Sequence, residues 1–245
     1  EVALLDEEEK VELFTFVRKN FPADRPLIAG TGCESLKATL RLTCKAAEAG
    51  ADAALVITPW YYKGAMKDEV LKAYYTELAD QSPLPIILYN MPRNTGVDMN
   101  SGLVSELSRH ENIIGIKDSS GNIVQIGEII QKSSKDFAVF AGSGSFLYAS
   151  LVLGATGGTL AVANVIPDLC AEIIALCNAG QAEKARTLQM KIMEINAAVT
   201  VKWGIAGLKA ALDLIGYYGG PTRKPLRPLA PELKSQLEAI LRNVG

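Results

Sequence analysis

The chain has 245 residues, of which 49% are hydrophobic and 21% charged, the balance of a globular protein with a sizeable core. Its formal charge of -2 gives no electrostatic reason to expect nucleic acid or an anionic membrane surface as a partner. The apolar runs are short and interrupted, so none is expected to span a bilayer.

In chain order, Leu5-Asp6-Glu7-Glu8-Glu9 reads as a helix start, with Asp6 as N-cap and Glu9 completing a capping box. Val11, Phe14 and Val17 then recur on one helical face up to Arg18. Strand–helix units follow. Leu27–Gly30 predicts a strand and Ser35–Ala49 a helix, with Leu36, Leu40 and Ala47 facing inward. Ala53–Thr58 is a strand before a helix near Glu69–Asp80, and Pro85–Pro92 a strand before a helix near Ser101–Ser108. Ile113–Lys117 is a strand that leads, through a polar turn, into a helix over Ile123–Gln131, with Ile123, Ile126 and Ile130 inward. Phe137–Ala141 is followed by a Phe146–Leu153 helix, and a last strand is expected at Gly158–Val162.

From Pro167 onward the pattern is helical only, with helices near 167–178, 181–199, 203–216 and 231–242. Pro167 and Pro231 suit first helical positions and Gly180 a C-cap. No linker separates the two parts, so 1–165 (strand–helix repeats) and 166–245 (helices) are expected to form one structural unit. This is an α/β pattern of six strands alternating with helices, two strands short of a closed (β/α)8 barrel, with a C-terminal helical appendage.

Cys33, Cys44, Cys170 and Cys177 form no CxxC pair and have no histidine partner. They read as reduced, mostly buried thiols of an intracellular protein. The only histidine, His110, lies in a polar segment, is expected at the surface, and is poorly placed for a triad or a metal site. Gly30-Thr31-Gly32 and Gly142-Ser143-Gly144 complete no phosphate-loop motif and read as tight turns.

The organising stretch is Ile113-Ile114-Gly115-Ile116-Lys117-Asp118-Ser119-Ser120, an apolar strand ending in a lysine. Its expected partner, Pro85-Ile86-Ile87-Leu88-Tyr89-Asn90, ends in a tyrosine. If both strands lie in one parallel sheet, Lys117 and Tyr89 emerge together at its C-terminal edge, where such sheets carry their active sites. An amine and a phenol above apolar walls suit Schiff-base chemistry, since a nucleophilic amine must be neutral and desolvation favours the neutral form. Other strand ends bring Thr31, Thr58, Gly142 and the Thr159 region to the same edge, and Ser119 offers a further polar contact.

These paired stretches resemble the dihydrodipicolinate synthase/N-acetylneuraminate lyase family of class I aldolases, over nearly the whole chain. The resemblance implies that Lys117 forms the Schiff base with a small 2-oxo acid and that Tyr89 shuttles protons. It implies substrate contacts at Gly142 and Thr159, and at Tyr61 of Pro59-Trp60-Tyr61-Tyr62, a tyrosine that relatives pass into a neighbouring subunit's site. For Trp60 and Tyr62, ordinary interface packing is expected. A homotetramer is implied, and no metal or organic cofactor. It also implies that the first two of the eight barrel strands precede Glu1, so that the sequence begins inside the barrel. A six-stranded open sheet is the alternative, at the cost of exposed apolar edges.

Synthases of the family carry an arginine five residues after the shuttle tyrosine, where Asn94 stands here. Tyr89–Gly96, Gly32-Cys33-Glu34-Ser35 and Gly216–Pro221 are most similar to the members that cleave 4-hydroxy-2-oxoglutarate to pyruvate and glyoxylate, mitochondrial in animals. Two rival readings stand beside this one: another pyruvate aldolase such as a dihydrodipicolinate synthase, and a non-catalytic paralogue.

Overall fold

The computed structural model describes residues 1–244. The elements are α1 (Glu7–Asn20), β1 (Ile28–Gly30), α2 (Leu36–Glu48), β2 (Ala53–Ile57), α3 (Asp68–Gln81), β3 (Ile86–Asn90), α4 (Pro92–Thr95), α5 (Ser101–Leu107), β4 (Ile113–Asp118), α6 (Ile123–Lys132) and β5 (Ala138–Ala141). They continue with α7 (Leu147–Val152), β6 (Gly157–Gly158), α8 (Pro167–Asn178), α9 (Ala182–Ala197), α10 (Gly204–Leu214) and α11 (Pro231–Val244). The strands are ordered β1 to β6 as in the sequence, and the pairs β1–β2, β2–β3 and β3–β4 are parallel. This is the strand–helix alternation of a TIM-barrel-like α/β fold. No helix among the described residues is long and apolar enough to cross a membrane.

Contacts divide the chain into two compact units, one covering Val2–Phe140 and the other Ala141 onward together with Glu1. In the first, α1 opens on the expected capping box: Asp6 accepts from the Glu9 amide at 2.8 Å, and Glu9 accepts from the Asp6 amide at 3.0 Å. Ser35 caps α2 by accepting from the Ala38 amide. The buried face of α2 is Thr39, Leu42, Thr43 and Ala46, whereas Leu36, Leu40 and Ala47 are only half-buried. Two threonines can turn inward because their hydroxyls are satisfied. Thr39 meets the Tyr74 hydroxyl at 2.9 Å, and Thr43 donates to Thr31 at 2.9 Å. Similarly, α6 buries Ile126 and Ile129, with Ile130 half-buried.

His110 is not simply at the surface. Its ring is half-buried, with Nε2 3.0 Å from Asp80 and Nδ1 accepting from the Asn112 amide at 3.1 Å. It pins the turn that leads into β4.

In the second unit, α8 starts on Pro167 and is followed by Gly180 at φ +69°, the left-handed cap that glycine permits. The helices close around Leu147, Val162, Ile173, Ile192, Ala211 and Leu237. The strand expected over Gly158–Val162 is confined to Gly157–Gly158. A Thr159 N–H bond to the Ala141 carbonyl at 2.9 Å extends the pairing, and then Ala161–Asn164 coils into a 3-10 turn. Leu160 folds back so that its Cδ2 lies 2.8 Å from where a Gly158 Cβ would stand. The turn sends Leu160, Val162 and Val165 into the core, which a continuing strand would have split between two faces. Cys170 is buried, Cys33, Cys44 and Cys177 are half-buried, and all four are free thiols.

One close approach in the first unit bears on the site. A Cβ on Gly115 would stand 2.5 Å from the Ala138 carbonyl oxygen, so β4 and β5 pass each other there only because residue 115 has no side chain. Gly115→Ala is therefore expected to destabilise the protein by about 1–3 kcal/mol, the usual scale of overpacking. Urea unfolding should show a lower midpoint at an unchanged slope. An unaltered midpoint would mean that the strands part there without cost.

Candidate active site

The site is built on β3 and β4. The register runs Ile86↔Ile113 and then Ile87↔Gly115, so Ile114 is left out of the pairing and is 39% exposed. This bulge shifts everything beyond it by one residue, which in a strand means the opposite face. Without it Ile116 would oppose Tyr89, and Lys117 would point to the other side. With it, Tyr89 and Lys117 are register partners, flanked on β2 by Ile57. Both side chains are half-buried, and Lys117 Nζ stands 4.2 Å from the centroid of the Tyr89 ring. The amine meets the ring face.

One residue further on, alternation turns the side chains to the opposite face, where Asn90 opposes Asp118. Both are fully buried. Asn90 Nδ2 donates to Asp118 Oδ2 at 2.9 Å and to Asp98 Oδ1 at 2.7 Å, while its Oδ1 accepts from the Met99 amide at 3.1 Å. Asp118 Oδ1 accepts from the Ser120 amide at 2.8 Å and from its hydroxyl at 2.5 Å. Ser119, half-buried, lies in the turn so formed and donates its N–H to the Asn90 carbonyl at 2.8 Å.

The loop after β3 holds the specificity candidates. Asn94 and its neighbour Arg93 are both exposed on the single turn α4. Buried Thr95 fixes that turn by donating to the Met91 and Val97 carbonyls, each at 3.0 Å. The loop after β2 carries Tyr61 and Tyr62, stacked edge to face at 5.0 Å between centroids and 75% and 73% exposed. The Glu34 carboxylate accepts from the amides of Trp60, at 3.2 Å, and Tyr61, at 3.0 Å. Thr58, at the end of β2, is buried, and its hydroxyl has no hydrogen-bond partner among the described residues.

Past the end of β1, Thr31 accepts from Thr43 and Thr39 meets the Tyr74 hydroxyl, while the Cys33 amide donates to Thr39 at 3.0 Å. Burial pushes the Tyr74 phenol up to about 12 and raises the Cys33 thiol above its ordinary value. Neither is poised as a base or nucleophile.

The second unit holds the other two candidates. Gly142 is half-buried immediately after β5, and exposed Thr159 donates its N–H to the Ala141 carbonyl, so the two lie on adjacent chain segments. The turn that follows Gly142 is tied to α9: Asn196 Nδ2 donates to Ser143 Oγ at 3.3 Å and Gln189 Nε2 to the Gly144 carbonyl at 2.7 Å.

The model of the dihydrodipicolinate synthetase family matches residues 1–244. The chain belongs to that family.

Among curated relatives, a 4-hydroxy-tetrahydrodipicolinate synthase from Thermoanaerobacter sp. (strain X514) is 33% identical, with 100% of this chain and 82% of the relative covered. A dihydrodipicolinate synthase structure from Bacillus anthracis superposes with a TM-score of 0.93 at 32% identity, covering 98% of this chain and 82% of that one. A chloride-inhibited dihydrodipicolinate synthase from Acinetobacter baumannii, complexed with pyruvate, gives a TM-score of 0.93 at 32% identity, covering 100% and 84%. Membership places the chain among class I, pyruvate-dependent aldolases, a family of lyases.

Within this dihydrodipicolinate synthetase-family chain, Lys117 and Tyr89 lie together as their strand ends imply, whereas Asn90 and Asp118 were not among the candidates expected from the sequence. A usable signal was present, a polar residue following each strand-end candidate at the same height. Tyr89→Phe keeps the ring under the Lys117 amine and removes only the hydroxyl. Turnover of a 2-oxo acid substrate is expected to fall about 10²-fold or more, the scale of a positioned proton-transfer group, with the melting temperature unchanged. Near-normal turnover would reduce Tyr89 to a packing role.

Proposed function

We propose that the chain cleaves 4-hydroxy-2-oxoglutarate to pyruvate and glyoxylate through a Schiff base on Lys117. The observation that carries this reading is the Lys117 amine held 4.2 Å from the Tyr89 ring centroid at the C-terminal edge of a parallel sheet. Lys117 Nζ attacks the C2 carbonyl, and loss of water leaves an iminium. The C4 hydroxyl gives up its proton, the C3–C4 bond breaks, and its electron pair moves into the iminium, giving an enamine and glyoxylate. A proton returns to C3, and water releases pyruvate from the lysine. The iminium is the electron sink, so these steps call on no metal or organic cofactor. Tyr89 is assigned the proton movements at the C4 oxygen and C3. Ser119, Gly142, Thr159 and Tyr61 are assigned substrate contacts. A homotetramer and a mitochondrial location belong to the same reading and rest on the resemblance.

The names of the relatives favour a second reading, condensation of pyruvate with aspartate semialdehyde. Residue 94 separates the two. A guanidinium there forms two charge-assisted hydrogen bonds to an incoming carboxylate, and an amide only neutral ones. That loss is worth about 1.5–3 kcal/mol. The test is kcat/KM for both reactions in the wild type, Asn94→Arg and Arg93→Ala. Efficient aldol cleavage and weak condensation are expected in the wild type, with cleavage impaired in Asn94→Arg and less so in Arg93→Ala. Efficient wild-type condensation that is lost in Arg93→Ala would move the clamp to Arg93 and overturn the aldolase reading.

A further inference from the structure

A lysine and a phenol that share a reaction must keep their relative height. On two adjacent strands that height is set by what locks the strands together just beyond them. The β3–β4 register already contains one shift, between Ile86 and Ile87, and a further slip by one residue would leave Tyr89 and Lys117 on opposite faces. The lock lies on the reverse face, one residue past the candidate pair. Asp118 is a fully buried carboxylate, an expensive group to place in a sheet unless it is used. Both of its oxygens are engaged: Oδ2 by Asn90 Nδ2 at 2.9 Å, Oδ1 by the Ser120 amide at 2.8 Å and hydroxyl at 2.5 Å. Asn90 in turn uses its amide oxygen on the Met99 N–H at 3.1 Å and its backbone carbonyl on the Ser119 N–H at 2.8 Å. Gln125, from the start of α6, reaches the same cluster through Asp98 Oδ1 at 3.1 Å and the Met99 carbonyl at 3.3 Å.

We propose that Asp118 and Asn90 are the positioning pair of this site. Through Asn90, Asp118 fixes the height of Tyr89 against Lys117, and through Ser120 it shapes the turn that presents Ser119. Neither residue touches substrate. The inference rests on the Schiff-base reading and adds to it the device that makes two groups on separate strands act as one. Its chemistry requires an acceptor at 118 on both sides. An amide there must turn its NH2 either toward the Asn90 NH2 or toward the Ser120 N–H, and two donors then face each other. Loss of the lock displaces the phenol from the amine by a fraction of an ångström to an ångström, a scale that costs up to about 10²-fold in a pre-oriented reaction.

The experiment separates positioning from plain structural support by counting working sites. Wild type, Asp118→Asn, Asn90→Ala and Ser120→Ala are incubated with pyruvate and borohydride, the trapped fraction at Lys117 is measured by mass, and turnover is divided by it. Asp118→Asn and Asn90→Ala are expected to keep trapping, which needs only the amine, while turnover per trapped site falls ten- to a hundredfold. Ser120→Ala removes one of three donors on Asp118 and is expected to lose only a few-fold. If Asp118→Asn does not fold, Ser120→Ala and Asn90→Ala carry the test, with melting temperatures measured alongside. Turnover per trapped site equal to wild type in the folded variants, however low their melting temperatures, would overturn the proposal and leave the Schiff-base reading standing. Absence of trapping in the wild type would instead overturn that reading.

Discussion

One register shift governs the first unit. Leaving Ile114 out of the β3–β4 pairing moves Lys117 from the reverse face of the sheet to a place opposite Tyr89. Gly115, the next residue, passes so close to β5 that a Cβ there would stand 2.5 Å from the Ala138 carbonyl oxygen. An exposed isoleucine and a side-chain-free residue are the local cost. The gain is an amine over an aromatic ring at the end of the sheet, with a hydrogen-bonded asparagine–aspartate pair behind it.

Much of this was legible from the residues. Long, capped helices such as α1 and α8 follow from Asp6, Glu9 and Pro167, because capping chemistry is local. The strands were recognisable as short apolar runs, and the lysine and tyrosine stood out at their ends. What was not legible depends on partners distant in sequence. Thr39 and Thr43 look like surface residues of α2 until Tyr74 and Thr31 supply their hydrogen bonds. Asp118 looks like a solvated strand end until Asn90 and Ser120 enclose it. The early end of β6 is decided by Leu160 turning into a helical core that no local pattern announces.

The arrangement also shows where chemistry and specificity part. The groups assigned to bond making sit on strands and are half-buried, where packing limits their motion. Arg93, Asn94 and Tyr61 are exposed on the loops after β3 and β2, with Thr95 among the anchors of one loop and Glu34 of the other. A scaffold built this way can change its aldehyde partner by altering loop residues while the lysine and tyrosine stay in place. That fits a chain that superposes on a solved synthase with a TM-score of 0.93 and carries Arg93 and Asn94 exposed on the loop after β3.

The central claim is that Lys117, and no other amine, forms the covalent intermediate. Lys209 is a suitable control, since its Nζ is committed to the Gly219 carbonyl at 2.9 Å and to Glu1 at 3.1 Å. The decisive measurement is reduction with borohydride in the presence of pyruvate, followed by peptide mass mapping of the wild type, Lys117→Ala and Lys209→Ala. The account predicts one adduct, on the peptide containing Lys117, lost in Lys117→Ala and retained in Lys209→Ala. An adduct that survives in Lys117→Ala, or a wild type that is not modified at all, would contradict it.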